Sequence, residues 1–411
     1  MAAVAVVGYG TVGSGVVEII ETHREMLRQR TGKNVYVKYI VDIRDFENDP
    51  YGDKLVKDFS IVENDPEVET VVEAIGGRNK AYEFTRRALA AGKNVVTSNK
   101  ELVAYHAVEL FELARANNVR YMFEASVGGG IPVIRPMSQC LAANEITEIF
   151  GILNGTTNYI LTRMITASLS FEDALKEAQA LGYAEADPAA DILGHDACRK
   201  ICILSSLAFG KQILPEDVKT EGITNISSED IAFAGTMDCR IKLLGRAKKL
   251  EDGKVYISVS PFVIPLSCPL STIDGVFNGV MVHGDSVDDC MFYGRGAGKL
   301  PTASAVVADV IDTLRSCGDD RRIEWVAGGS EMVSDCRKVS HKYMVRVKGN
   351  VSAALDAAEK LFGEIEVLSC PTLCECNGAF ITSELPEQDL LNKVEELKAA
   401  GVDVKNHLML M

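Results

Sequence analysis

The feature that most constrains this chain is a glycine loop at its start. Ala3–Val7 is an unbroken apolar run, and Gly8-Tyr9-Gly10-Thr11-Val12-Gly13 follows it directly. Such a run reads as a parallel strand buried on both faces. After the loop, Val16, Val17, Ile20 and Leu27 fall near helical spacing between Val12 and about Gln29. A Gly-x-Gly-x-x-Gly loop between strand and helix is the context that dinucleotide binding requires. Gly8 permits the tight turn, Gly10 lets the backbone approach a pyrophosphate, and Gly13 lets helix and strand pack closely. Thr11 and Val12 open the helix, where N–H groups and the helix dipole favour an anion.

The next segments continue the pattern. Strand Val35–Val41 ends at Asp42, where a carboxylate would accept the ribose 2′-OH of NAD. Arg44 could instead meet the 2′-phosphate of NADP, and Asp42 favours NAD. Strand Thr70–Ile75, helix Tyr82–Ala91, strand Asn94–Thr97, helix Glu101–Asn117 and strand Val119–Phe123 follow. This alternation predicts an α/β fold with a doubly wound, Rossmann-type parallel sheet over residues 1–132.

The pattern changes after Gly128-Gly129-Gly130. Residues 133–250 read as mostly helical, with Phe171–Leu181 and Ala189–Phe209 clearest, and β-rich runs follow between Val255 and Tyr293. We assign 133–317 to a second, α+β domain for substrate binding and dimerisation. A helix over 302–316 is expected to return to the first domain. Residues 318–338 read as a linker. Residues 339–411 then give the order βαββαβ, a ferredoxin-like unit.

Composition narrows the function. A chain of 411 residues, 47% hydrophobic, can build two or three cores. A net charge of −15 without a Lys/Arg-rich stripe argues against nucleic acid and against an anionic membrane surface. No apolar run approaches the ~20 residues that span a bilayer. The start lacks the basic region of a signal peptide. Eleven irregularly spaced cysteines suit reduced thiols, so a cytoplasmic protein is expected. Cys370-x-x-x-Cys374-x-Cys376 falls within the expected strands of the C-terminal unit and does not have zinc-ribbon spacing.

A nicotinamide enzyme acting on an alcohol needs an acid/base near the reacting oxygen. Of six histidines only His195 adjoins a dense polar cluster. That cluster holds Glu185, Asp187, Asp191, Asp196 and Lys200 beside Ala, Ile and Leu. Asp187-Pro188 reads as a helix start, which puts Asp196 and Lys200 one turn apart on one face. A partly buried lysine near a carboxylate can act as acid/base; an ordinary solvated helix pair has the same spacing.

Here the sequence resembles the homoserine dehydrogenase family. The family signature spaces its residues as Ala178, Gly182, Asp187-Pro188, Asp191, Gly194, Asp196 and Lys200 stand. Glu73-Ala-Ile-Gly-Gly77, Val96-Thr-Ser-Asn99-Lys100, Phe123–Pro132, Asn154-Gly-Thr-Thr-Asn158 and Phe292–Gly298 extend the likeness, in order, over about residues 1–315. The resemblance implies interconversion of L-homoserine and L-aspartate 4-semialdehyde with NAD or NADP, in threonine, methionine and isoleucine synthesis. Lys200 would be the proton donor/acceptor. Asp196 would hold substrate and orient Lys200. Glu185 would bind the substrate's ammonium group, with Asp191 at the same site. Lys100 would lie near cofactor and substrate. Gly182, Glu185 and Gly298 would line the cofactor side. Glu124, with the carbonyls of Val127, Gly129 and Ile131, would form a monovalent-cation site for Na⁺ or K⁺. A homodimer or homotetramer is implied. The remaining readings are a dehydrogenase of another small amino acid or amino-aldehyde, and a non-catalytic nicotinamide sensor.

The C-terminal unit resembles an ACT regulatory domain, which implies a threonine effector. ACT domains usually place an acidic residue and Pro-Gly after the first strand. Here Val347-Lys-Gly-Asn-Val351 carries Gly349 and Asn350 but no proline.

Overall fold

A computed structural model describes residues 1–46, 48–315 and 323–411. Part of the expected linker, 318–322, and the ends of the expected second domain and returning helix lie outside the described residues. The fold groups into two compact units, 1–146 with 199–215 and 283–329, and 147–198 with 216–282 and 330–411. These units do not follow the four sequence segments one for one.

In the first unit, β1 (Ala2–Val7), β2 (Val35–Val41), β3 (Leu55–Val56), β4 (Val68–Glu73), β5 (Asn94–Thr97) and β6 (Tyr121–Met122) form a parallel sheet. Its order is β3-β2-β1-β4-β5-β6, and the sequence direction reverses between β1 and β4. Every residue of β1 is buried, as a strand covered on both faces requires. Helix Lys299–Leu314 shares one core with β1 and helix Thr11–Thr22 through Ala303, Val306, Val310 and Val17. Gly15 makes this approach possible, since a Cβ there would meet the Lys299 carbonyl at 2.8 Å.

The expected helix from Val12 to Gln29 is two helices, Thr11–Thr22 and Arg24–Thr31, divided at His23. The Thr22 hydroxyl donates to the Glu18 carbonyl at 2.6 Å, a back-bond that bends helices.

The later strands are β7 (Ile146–Ile152), β8 (Lys219–Thr220), β9 (Cys239–Lys249), β10 (Val255–Pro265), β11 (Phe277–Gly284), β12 (Asp288–Arg295), β13 (Ser340–His341), β14 (Tyr343–Lys348), β15 (Ile365–Leu368), β16 (Asn377–Thr382), β17 (Leu385–Pro386) and β18 (Asp403–Leu410). In the second unit they run β11-β7-β9-β10-β18-β14-β16-β15. The C-terminal elements follow the ferredoxin-like order β14, helix Val351–Phe362, β15, β16, helix Glu387–Ala399, β18. They are not a separate bead. Parallel pairing of β18 with β10, Phe262 to Met409 and Val263 to Leu410, continues the sheet. One core joins Phe150, Leu244 and Phe262 to Tyr343, Phe380 and Leu390. Buried Arg346 on β14 pairs with buried Asp230 on helix Ser228–Thr236 at 2.6 Å.

Three expectations are corrected here. The mostly helical reading of 133–250 missed β7 and β9. Their charges have partners far away in sequence: Arg246 meets Glu148 at 2.7 Å, and fully buried Lys242 donates to Asn158 Oδ1 at 3.0 Å and to the Ile273 carbonyl. Ala189–Phe209 is two helices, Ala189–Ile192 and His195–Phe209, broken at Gly194 with φ +84°. Cys370, Cys374 and Cys376 lie between β15 and β16, not within strands.

Candidate active site

The glycine loop sits where the sheet order reverses. Gly8 has φ +97°, and a Cβ on it would lie 2.7 Å from the Ala74 carbonyl at the end of β4. A Cβ on Gly13 would lie 1.9 Å from the Gly8 carbonyl, so only glycine lets the helix begin this close to the strand. Gly10 differs: no atom lies within 4 Å of its added Cβ. That open space over the start of helix Thr11–Thr22 fits an approaching pyrophosphate.

Asp42 and Arg44 are joined rather than independent. Both Asp42 oxygens meet the Arg44 guanidinium, at 3.0 and 2.9 Å, and Oδ2 also accepts the Tyr9 N–H at 2.8 Å. The guanidinium holds the Asp42 carboxyl well below the usual carboxylate range. The Tyr9 hydroxyl donates to Asp49 at 3.0 Å, and the ring packs edge-on against Phe46.

Glu73, at the end of β4, organises the next two segments. It is 1% exposed, and burial pushes its carboxyl up. It accepts the Thr97 hydroxyl at 2.6 Å and the Ile75 N–H at 2.8 Å. Asn99 Nδ2 donates to the Gly77 carbonyl at 2.6 Å, while its Oδ1 accepts the N–H groups of Glu101 and Leu102. Asn99 therefore caps helix Lys100–Ala116 and sets Lys100 in its first turn.

Glu124 is buried, and its carboxylate accepts three backbone N–H groups, from Val133, Ile134 and Arg135, at 2.7, 2.8 and 2.8 Å. Asp309 accepts the Glu124 N–H at 2.9 Å and pairs with Arg135. Gly129 has φ +55°, and a Cβ there would strike the Gly296 carbonyl at 2.2 Å. The Val127–Ile131 turn is thus closed against the loop that ends at Gly298, the residue preceding helix Lys299–Leu314.

In the second unit the organising residue is Asn154, which the sequence reading did not single out. Its Nδ2 donates to Asp191 at 2.7 Å and to Asp196 at 2.9 Å. Its Oδ1 accepts the Thr157 N–H at 2.8 Å, capping helix Gly155–Ala167. One amide therefore joins two carboxylates carried by consecutive helices, Ala189–Ile192 and His195–Phe209. Thr156 donates to the Tyr183 carbonyl at 2.7 Å, and Gln179 donates to the Glu185 carbonyl at 3.1 Å. Gly182, at φ +74°, and Glu185 lie on this exposed turn. Asp196 is 4% exposed; Lys200, one turn on along helix His195–Phe209 and grouped with the first unit, is 8% exposed. An acid and a lysine so buried are not a solvated helix pair. His195 is exposed at the start of that helix.

Two family profiles match the chain: the homoserine dehydrogenase NAD-binding domain over residues 8–124, and homoserine dehydrogenase over 132–311. The chain belongs to the homoserine dehydrogenase family. The homoserine dehydrogenase of Bacillus subtilis is 42% identical over 76% of this chain and 73% of its own length. A crystal structure of a homoserine dehydrogenase from Thiobacillus denitrificans superposes with a TM-score of 0.90 at 35% identity, covering 100% of this chain and 98% of that one. A hyperthermophilic archaeal homoserine dehydrogenase mutant in complex with NADPH gives a TM-score of 0.66 at 28% identity, covering 78% of this chain and 100% of that one. The NAD-binding match begins at the glycine loop, at Gly8, and runs just past β6.

Proposed function

We propose that this chain interconverts L-homoserine and L-aspartate 4-semialdehyde, with a nicotinamide dinucleotide carrying the hydride. The observation that carries the reading is the buried Asp196/Lys200 turn, with Asp196 tied through Asn154 to Asp191. The bound nicotinamide supplies hydride chemistry. Lys200 gives a proton to the carbonyl oxygen during reduction and receives the hydroxyl proton during oxidation. Its ammonium also stabilises charge on that oxygen. Asp196 orients Lys200 and, with Asp191, holds substrate. Glu185 takes the substrate's ammonium group, and Lys100 lies toward cofactor and substrate. Purified protein should reduce NAD⁺ or NADP⁺ with L-homoserine and oxidise the reduced cofactor with aspartate semialdehyde. Turnover of another amino alcohol in preference to homoserine would overturn the assignment.

We propose the finer assignments on the following grounds. Asp42 accepts the ribose 2′-OH and favours NAD, since a 2′-phosphate would meet its carboxylate unless Arg44 turned away. Glu124 has about four lone-pair positions and spends three on N–H groups, which leaves room for one hard cation with the Val127, Gly129 and Ile131 carbonyls. Na⁺ or K⁺ should raise activity over a bulky quaternary ammonium salt; an equal response would remove the site. The exposed Met291 and Tyr293 on β12 suit a subunit contact, and light scattering should report a dimer or tetramer. Among the described residues no helix is long and apolar enough to cross a membrane, and the free thiols suit the reducing cytoplasm, where we place the chain. The ferredoxin-like unit is ACT-like and senses threonine.

A further inference from the structure

The loop between β15 and β16 brings together two thiols that the dehydrogenase reaction does not use. Cys374 Sγ and Cys376 Sγ lie 2.6 Å apart. The turn makes this approach: the Asn377 N–H closes onto the Cys374 carbonyl at 2.9 Å, and the Cys376 N–H donates to Cys374 Sγ at 3.2 Å. Cys374 Sγ thus accepts from the Cys376 amide and touches the Cys376 sulfur. Cys374 is exposed, and Cys376 is partly so.

We propose that Cys374 and Cys376 form a thiol–disulfide exchange site, with Cys374 as attacking thiolate and Cys376 as resolving thiol. The two sulfurs already touch across one turn, within reach of a bond of about 2.0 Å. The contact with the Cys376 sulfur, and after it the Cys376 amide, draws the Cys374 pKa down, and the sulfur contact pushes Cys376 up. This is the asymmetry that separates a nucleophile from its resolving partner. The oxidant is a low-molecular-weight disulfide. The Cys374 thiolate attacks one of its sulfurs, breaking that S–S bond and expelling one thiolate. Cys376 then gives its proton to solvent and displaces the second thiol from Cys374. One S–S bond is broken and one formed, and two electrons pass from the protein dithiol to the small disulfide.

The site is wired to the neighbouring turn. The Cys376 carbonyl accepts the Gly349 N–H at 2.8 Å, and Asn350 caps helix Val351–Phe362 through the Ala353 N–H. Oxidation therefore acts on the Gly349-Asn350 turn through one hydrogen bond. Cys370 is the control: its Sγ contacts Thr372 Oγ1 at 3.3 Å.

The test treats the full-length protein with oxidised glutathione, alkylates the remaining thiols and reads the Cys370–Cys376 peptide by mass spectrometry. The wild type should lose alkylation at Cys374 and Cys376 together while Cys370 stays labelled. Cys376→Ser should stop at a glutathione adduct on Cys374. Cys374→Ser should react about tenfold more slowly or less, because the favoured thiolate is gone. Persistent alkylation of both wild-type thiols would overturn the proposal. So would a disulfide through Cys370, or equal adduct formation in the two serine variants.

Discussion

Asn154 shows how one side chain fixes the geometry of others. Its single amide donates one hydrogen bond to each of Asp191 and Asp196, and its oxygen caps a helix. Hydrogen bonds to charged groups contribute roughly 1.5–3 kcal/mol each. Asn154→Ser should keep the cap yet lower kcat/KM for homoserine about 10- to 100-fold, with cofactor KM near wild type. An equal loss of Tm and activity would make Asn154 merely structural. At the cofactor end, Asp42→Ala removes the carboxylate and releases Arg44. The ratio of kcat/KM for NADH over NADPH should fall about tenfold; an unchanged ratio would remove Asp42 from cofactor choice. The sequence made Asp42, Arg44, Asp196 and Lys200 legible because their spacing from glycine and proline landmarks is local. It could not show that Arg44 is clamped on Asp42, nor that Asn154 reaches across the chain to Asp191. Those facts depend on where separate elements end.

Elements were read best where periodicity and burial agreed. Val35–Val41 and Asn94–Thr97 are the spans the sequence suggested. β7 and β9 were hidden because Glu148, Lys242 and Arg246 make them look solvated, whereas their charges are satisfied by distant partners. β13 carries a further consequence of burial. Among the described residues His341 Nε2 is buried with no hydrogen-bond partner, and burial lowers its pKa from 6.5 to about 4. The unfolded imidazole binds its proton near pH 6.5, whereas the folded one waits until about pH 4. The unfolded state therefore holds more protons in between, and stability falls as pH drops through that window. His341→Phe should raise Tm more at pH 5 than at pH 7.5. The same gain at both pH values would show that this histidine is not the cause.

At the scale of the whole molecule, β18 beside β10 makes the C-terminal unit part of the sheet that also carries β7 and β9. The βαββαβ order was legible because six elements alternate cleanly. The merging of its sheet was not, since only a two-pair register between distant strands creates it. If this unit senses threonine, millimolar threonine should raise Tm and inhibit turnover; neither effect would leave it a structural extension. In this homoserine dehydrogenase the proton is proposed to pass through Lys200. The most direct test is oxidation of NADH or NADPH with aspartate semialdehyde, by wild type and by Lys200→Met, alongside cofactor binding by fluorescence. The account predicts wild-type turnover, a loss in kcat of roughly 10³-fold in the variant, and cofactor affinity within about twofold. Turnover retained in Lys200→Met, or none in the wild type, would contradict it.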